Sequence, residues 1–172
     1  MKRLTYLFLG IAVLLFFSCR PQSIVEAETS STLILVRHAE KASDTEDPDL
    51  TEEGYIRAKR LAEMLSKLKL AAVYSTDYKR TRLTAQPVAD QQGVELSIYS
   101  PEEPAAFLQQ LLEKHGGGET VLIVGHSNTV PEMLGLLDTT QVWPTIADTD
   151  YGNVFFARLA QMGVAEIMEL RY

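Results

Sequence analysis

The chain predicts an α/β fold, a three-layer α/β/α sandwich around a mostly parallel sheet, on three observations. Two apolar runs, Thr32-Leu33-Ile34-Leu35-Val36 and Thr120-Val121-Leu122-Ile123-Val124-Gly125, each deliver a histidine at their carboxyl end, His38 and His126. Both runs are continuous rather than alternating, the pattern of strands buried on both faces. Strand-like and helix-like segments then alternate along the chain, the signature of helices layered on a parallel sheet.

The elements follow in order. After the strand Thr32–Val36 comes an acidic loop, Asp44–Asp49, broken by Pro48. Thr51 caps a helix with Glu52 and Glu53 in its first turn, where carboxylates favour the helix dipole. Ala58, Leu61, Ala62, Leu65 and Leu68 form that helix's apolar stripe. Leu70–Tyr74 is a second strand, and Ser75, Thr76 and Asp77 are cap-type residues opening a second helix through Arg80, Thr81 and Thr84. Pro87 is expected to end or kink it, since an interior proline costs about 3 kcal/mol. Glu95–Tyr99 reads as a strand, and Pro104–Lys114 as a helix with Leu108, Leu111 and Leu112 inward, closed by Gly116, Gly117 and Gly118. Beyond the strand Val121–Val124, Ser127-Asn128-Thr129 leads into Pro131, a favourable first helical residue, which aims a helix amino end at the site. Val154–Leu159 and Ala165–Leu170 are the last strands.

The first residues stand apart from this pattern. Lys2 and Arg3 precede an apolar stretch, Leu4–Phe17, ending in Ser18-Cys19, which is shorter than the roughly 20 residues of a membrane span. Residues 1–18 are read as a lipoprotein-type signal peptide, Cys19 as the lipidated residue, 19–31 as a tether and 32–172 as the domain. An uncleaved anchor and a plain secretory leader are the alternatives. The expected location is an exported one, on a bacterial envelope membrane through the lipid. Spending the only cysteine on lipid leaves none for an intrachain disulfide.

A hydrophobic content of 46% and a net charge of -7 describe an acidic globule with no basic surface for nucleic acid. An anionic substrate must therefore be held by local cations. His38 follows Arg37 directly, and the two can line one pocket only if the strand ends there, because consecutive strand residues face opposite sides. A neutral imidazole with one nitrogen donating to a fixed acceptor aims its other lone pair at phosphorus. Arginine binds phosphate oxygens with its fork. Arg37 is one such group, Arg80 and Arg82 compete to be the second, and a protonated His126 adds a donor. His115 reads as a charge partner at a helix end. Histidine pairs at metal-ligand spacing and cysteine clusters are absent from the sequence, and neither the glycine triplet nor the acidic loop has the residues of a P-loop or an EF-hand. No metal or cofactor is expected.

Four segments together resemble the histidine phosphatase superfamily, the phosphoglycerate-mutase-like fold: Arg37-His38-Ala39-Glu40; Leu50-Thr51-Glu52-Glu53-Gly54 with Ala58 and Leu61; Tyr74 through Ala85; and Val124-Gly125-His126-Ser127-Asn128. The resemblance implies a phosphohistidine at His38, phosphate binding by Arg37 and Arg80, and His126 as the second pocket histidine. Arg82 falls where the family more often has glutamine, and Ala39 where it has glycine. The short interval between Arg80 and His126 leaves no room for a large cap, as in the compact bacterial phosphohistidine phosphatases. Glu102 or Glu103 lies roughly where the family's proton donor comes, Glu102 being the candidate. The expected function is a metal-independent phosphatase acting on a phosphorylated small molecule or a phosphoprotein. A non-catalytic phosphate- or ligand-binding lipoprotein and a mutase-like phosphotransferase are the alternatives. Trp143, Pro144, Tyr151 and Tyr78 are candidates for shaping the substrate pocket.

Overall fold

A computed structural model describes residues 30–159 and 161–172. The proposed signal peptide, Cys19 and nearly all of the tether lie outside them. The described residues form, in chain order, β1 (Ser31–Arg37), α1 (Glu52–Leu65), β2 (Ala72–Ser75), α2 (Lys79–Gln92), β3 (Leu96–Ile98), α3 (Pro104–His115), β4 (Thr120–Gly125), α4 (Thr129–Leu137), β5 (Asn153–Leu159) and β6 (Glu166–Arg171). One six-stranded sheet has the order β3-β2-β4-β1-β5-β6. The first four of these pair in parallel, and β5 and β6 add an antiparallel edge. This is the α/β class the sequence implies.

The continuous apolar runs are central strands, and period-two geometry divides their side chains between two cores. Leu33, Leu35, Val121 and Ile123 pack with Leu108 and Leu111 of α3 and Met133, Leu134 and Leu137 of α4. Ile34, Val36, Leu122 and Val124 pack on the opposite face with Leu61 and Leu65 of α1 and Ala85, Val88 and Ala89 of α2. Each fully buried leucine or valine contributes about 1.5–3 kcal/mol of transfer free energy, an upper estimate because the unfolded chain is itself partly collapsed.

Helix α1 begins where its cap requires, with Gly54 N donating to Thr51 Oγ1 at 3.0 Å. Gly54 is forced by packing, since a Cβ there would stand 2.5 Å from the Glu40 carbonyl oxygen. The helix ends at Leu65, so Leu68 is outside the stripe and exposed.

Of the two outcomes expected at Pro87, an end to the helix is not seen: α2 runs on to Gln92 and closes at Gly93 in the left-handed region. Burial of Ala85, Val88 and Ala89 on either side of the proline offsets the lost hydrogen bond. Nor do Ser75, Thr76 or Asp77 cap it: Tyr78 holds that position, and Lys79 N donates instead to Asp47 Oδ1 of the acidic loop at 2.7 Å. Through Asp47 the acidic loop thus braces α2.

Candidate functional site

The parallel register of β1 and β4 places Arg37 opposite Gly125, so the next residues, His38 and His126, emerge side by side at the carboxyl edge. Strand β1 ends at Arg37, and His38 N donates to the Gly125 carbonyl at 3.0 Å. Arg37 and His38 therefore share one cavity, as strand termination allows. Gly125 is needed for this approach, because a Cβ there would meet Thr129 Oγ1 and Tyr99 Oη, each at 2.9 Å. The cavity, of about 450 Å³, is lined by Arg37, His38, Arg80 and His126, by Lys41, by Thr45 and Glu46 of the acidic loop, and by Tyr78, Pro101, Glu102, Asp148 and residues 127–129. It lies beyond the carboxyl ends of the parallel strands, where ligands bind in open α/β sheets.

The two imidazoles stand 5.6 Å apart between ring centroids, nearly edge to face. His38 Nδ1 lies 2.7 Å from the Ala39 carbonyl oxygen, an acceptor only, so Nδ1 carries the proton and Nε2 the free lone pair. Burial pushes the His38 pKa down to about 3, with the charges of Arg37, His126 and Arg80 acting in the same direction against the Ala39 carbonyl. His38 is accordingly neutral at ordinary pH. Burial, followed by Arg80 and Arg37, pushes His126 down to about 4. The expectation of a protonated His126 is corrected by the same desolvation and neighbouring cations.

The arginines are held differently from each other. Arg37 Nη1 donates to the Ala147 and Asp150 carbonyls, at 2.6 and 3.2 Å, and Nη2 to Asp148 Oδ1 at 3.3 Å. Its guanidinium also sits 4.4 Å from the Tyr151 ring centroid. The Arg37 fork is thus turned into the 147–151 strap, and its Nε is a buried donor without a partner among the described residues. Arg80 lies over Tyr78 at 4.5 Å, donates to the Glu46 carbonyl at 3.2 Å, and places Nη2 3.4 Å from His126 Nδ1. Arg82 pairs with Asp77 at the surface, away from the cavity lining. Glu102 lines the cavity as an exposed carboxylate.

Tyr78 lines the pocket and Tyr151 packs beside His38, whereas Trp143 and Pro144 belong to a separate cavity against Phe155. The sequence reading missed Thr76 and Thr81, which stand behind His126, and Asp148, which meets Arg37. It also missed Glu40–Arg57, a buttress two residues past His38 with contacts of 2.6–2.9 Å. Burial raises the Glu40 pKa, but the hydrogen bonds and charge of Arg57 hold it below the usual carboxylate range. The motif Leu50–Gly54 was the available signal, since the Gly54 contact locks α1 against Glu40.

Residues 33–100, from β1 to just past β3, match the Histidine phosphatase superfamily (branch 1). Phosphoserine phosphatase 1 of Hydrogenobacter thermophilus is 44% identical over 71 residues, covering 37% of this chain and 34% of that protein. A probable phosphatase of Schizosaccharomyces pombe is 36% identical over 69 residues, 36% of this chain and 24% of its own length. The matches thus span about a third and about a quarter of those relatives' lengths. In fold, the chain is similar to the protein histidine phosphatase SixA solved with tungstate, with TM-score 0.68, 18% identity, 81% of this chain and 96% of that one covered. Phosphoglycerate mutase from Bacillus anthracis gives TM-score 0.66, 18% identity, and coverage of 83% and 93%. Over residues 33–100 the chain is thus similar to that superfamily, and its architecture is phosphoglycerate-mutase-like in fold. Arg37, His38 and Arg80 fall inside the matched residues; Glu102 and His126 fall beyond them and enter the site through the fold.

Proposed function

We propose that the protein is a metal-independent phosphatase working through a phosphohistidine on His38. The observation that carries this reading is the orientation of His38: Nδ1 bound to the Ala39 carbonyl, Nε2 bare, in a cavity ringed by Arg37, Arg80 and His126. The Nε2 lone pair attacks phosphorus, the P–O ester bond breaks, and the leaving oxygen takes a proton from Glu102. Water then attacks the phosphohistidine, the N–P bond breaks, phosphate departs and Glu102 recovers its proton. Arg80 and Arg37 Nε stabilise the charge on the transferring oxygens. Similarity to proteins named as phosphatases supports hydrolysis over mutase-like transfer. Substrates are phosphomonoesters or protein-borne phosphate, and the short 99–103 segment on the cavity wall suits a bulky one. Export and lipid attachment at Cys19 belong to the same proposal and rest on the sequence of residues 1–19.

Turnover of an aryl phosphate in the presence of a chelator, with acid-labile label on the protein during turnover, is the expected result. His38→Ala should lower kcat by about 10⁴-fold or more and abolish the label. Phosphate binding without turnover of any ester or phosphohistidine favours a binding protein, and activity only with added divalent metal overturns the chemistry. Glu102→Gln should slow esters with poor leaving groups about 10²-fold and leave nitrophenyl phosphate nearly unchanged.

A further inference from the structure

His126 is oriented by a chain of hydrogen bonds with one internally consistent direction. Arg80 Nη2, 3.4 Å from His126 Nδ1, can only donate, so Nδ1 accepts and the ring proton is on Nε2. Nε2 lies 2.9 Å from Thr76 Oγ1, which therefore accepts. The Thr76 hydroxyl proton is then left for Thr81 Oγ1, also at 2.9 Å. Thr81 Oγ1 passes its own proton on to the Tyr78 or Thr76 carbonyl, at 2.9 and 3.0 Å. Both threonine side chains are fully buried, so water does not substitute for either. The edge-to-face contact with Tyr78, 5.2 Å between centroids, blocks the ring's other side, and Thr129 Oγ1 accepts from the His126 backbone N–H at 2.9 Å.

We infer that Thr76, backed by Thr81, is a positioning residue that holds His126 as the Nε2–H tautomer with its Nδ1 lone pair turned to the phosphate space beside Arg80. The inference rests on the phosphatase reading for its consequence, though not for its geometry. A ring fixed in this way meets phosphate as an acceptor. Once phosphate oxygens engage Arg80, the Nδ1 lone pair is released to take a hydrogen bond from a protonated phosphate oxygen, with the ring staying neutral. At Nδ1 the chain therefore offers a protonated phosphate oxygen an acceptor, while Arg80 beside it supplies positive charge for the others. Either alternative breaks the chain: a proton on Nδ1 would point at a guanidinium, and Nε2 would then need Thr76 to reverse.

The full-length chain labelled with ¹⁵N-histidine gives the test, since it contains three histidines and His38→Ala and His115→Asn assign two of them by difference. The expected spectrum of His126 near neutral pH has a pyrrole-type Nε2 and a pyridine-type Nδ1. Thr76→Val should produce mixed tautomers and weaken inorganic phosphate binding about tenfold, the scale of one buried hydrogen bond. Thr76→Ser should restore both. If catalysis is present, the Val variant should lose kcat/KM mainly through KM. A wild-type His126 protonated at Nδ1, or a Thr76→Val protein with unchanged tautomer and phosphate affinity, overturns the inference. Wild-type protein with the expected tautomer and phosphate affinity but no turnover would instead count against the phosphatase reading alone.

Discussion

All three histidines are buried to a similar degree, His38 at 4% exposure, His115 at 6% and His126 at 9%, yet they occupy opposite ends of the sheet and opposite electrostatic settings. At the carboxyl end of β1 and β4, His38 and His126 face Arg37 and Arg80 and bond to no carboxylate among the described residues. Where α3 turns back into β4, His115 Nδ1 meets Glu119 at 2.7 Å and Nε2 meets the Tyr74 hydroxyl at 3.1 Å. Its backbone carbonyl accepts from Ser31 Oγ at 2.7 Å, tying α3 to the start of β1. His115 is thus more than a helix-end charge partner: it is a satisfied joint. Burial does not distinguish a reactive imidazole from a structural one; the kind of partner does. Burial with cationic neighbours depresses basicity at the one end, where His38 keeps Nε2 free, whereas at the other a carboxylate and a hydroxyl take both ring nitrogens of His115.

That contrast is broken most directly at the cationic end. Arg80→Ala should lower kcat/KM about 10²–10³-fold, the range for removing one preorganised group that binds developing charge. Arg82→Ala, whose partner is the surface Asp77, should stay within about twofold. Equal losses in steady-state kinetics would show that Arg80 is not special.

Acid stability sharpens the comparison next. The folded pKa values of His38 and His126, about 3 and about 4, lie below the unfolded value of 6.5. Between those limits the unfolded chain binds protons that the folded site refuses. The stability contribution is therefore fully present above pH 6.5 and is lost as pH falls toward 4, at about 1.4 kcal/mol per pH unit for each histidine. Urea unfolding of His126→Gln from pH 4.5 to 7 should show a slope shallower by about that amount. An unchanged slope would mean His126 is charged in the folded protein.

Smaller effects are expected from the structural end. His115→Asn should destabilise by about 1–3 kcal/mol, through a buried hydroxyl and carboxylate left short of partners, with kcat/KM within about twofold. Thermal unfolding read together with turnover checks both halves. Gly54→Ala should cost a similar 1–3 kcal/mol by overpacking against Glu40, and some activity with it, because the loop after His38 shifts.

Much of the site was legible because its residues follow strands whose hydrophobicity is unmistakable. Arg37, His38 and His126 stand immediately beyond runs that can only be central strands, and parallel pairing leaves them adjacent. Arg80 needed the resemblance to separate it from Arg82, since both lie on one helix two residues apart and spacing alone favours neither. Thr76 looked like a helix cap because threonine before a helix usually is one; its hydroxyl is claimed by His126 across 50 positions of sequence. The Arg37 strap was equally invisible, since Ala147 and Asp150 contribute backbone carbonyls and leave no residue-type signal.

The amino-acid sequence by itself determined the layered α/β class, the central strands and the pair of strand-end histidines, because apolar runs and their period dictate which segments bury and on which faces. The tertiary structure alone decided that His38 and His126 are held neutral, which way Arg37 turns, how Asp47 caps a helix from another loop, and why Pro87 is tolerated. Those outcomes depend on desolvation and on hydrogen-bond partners 32 to 113 residues distant, quantities that exist only once the chain has closed on itself.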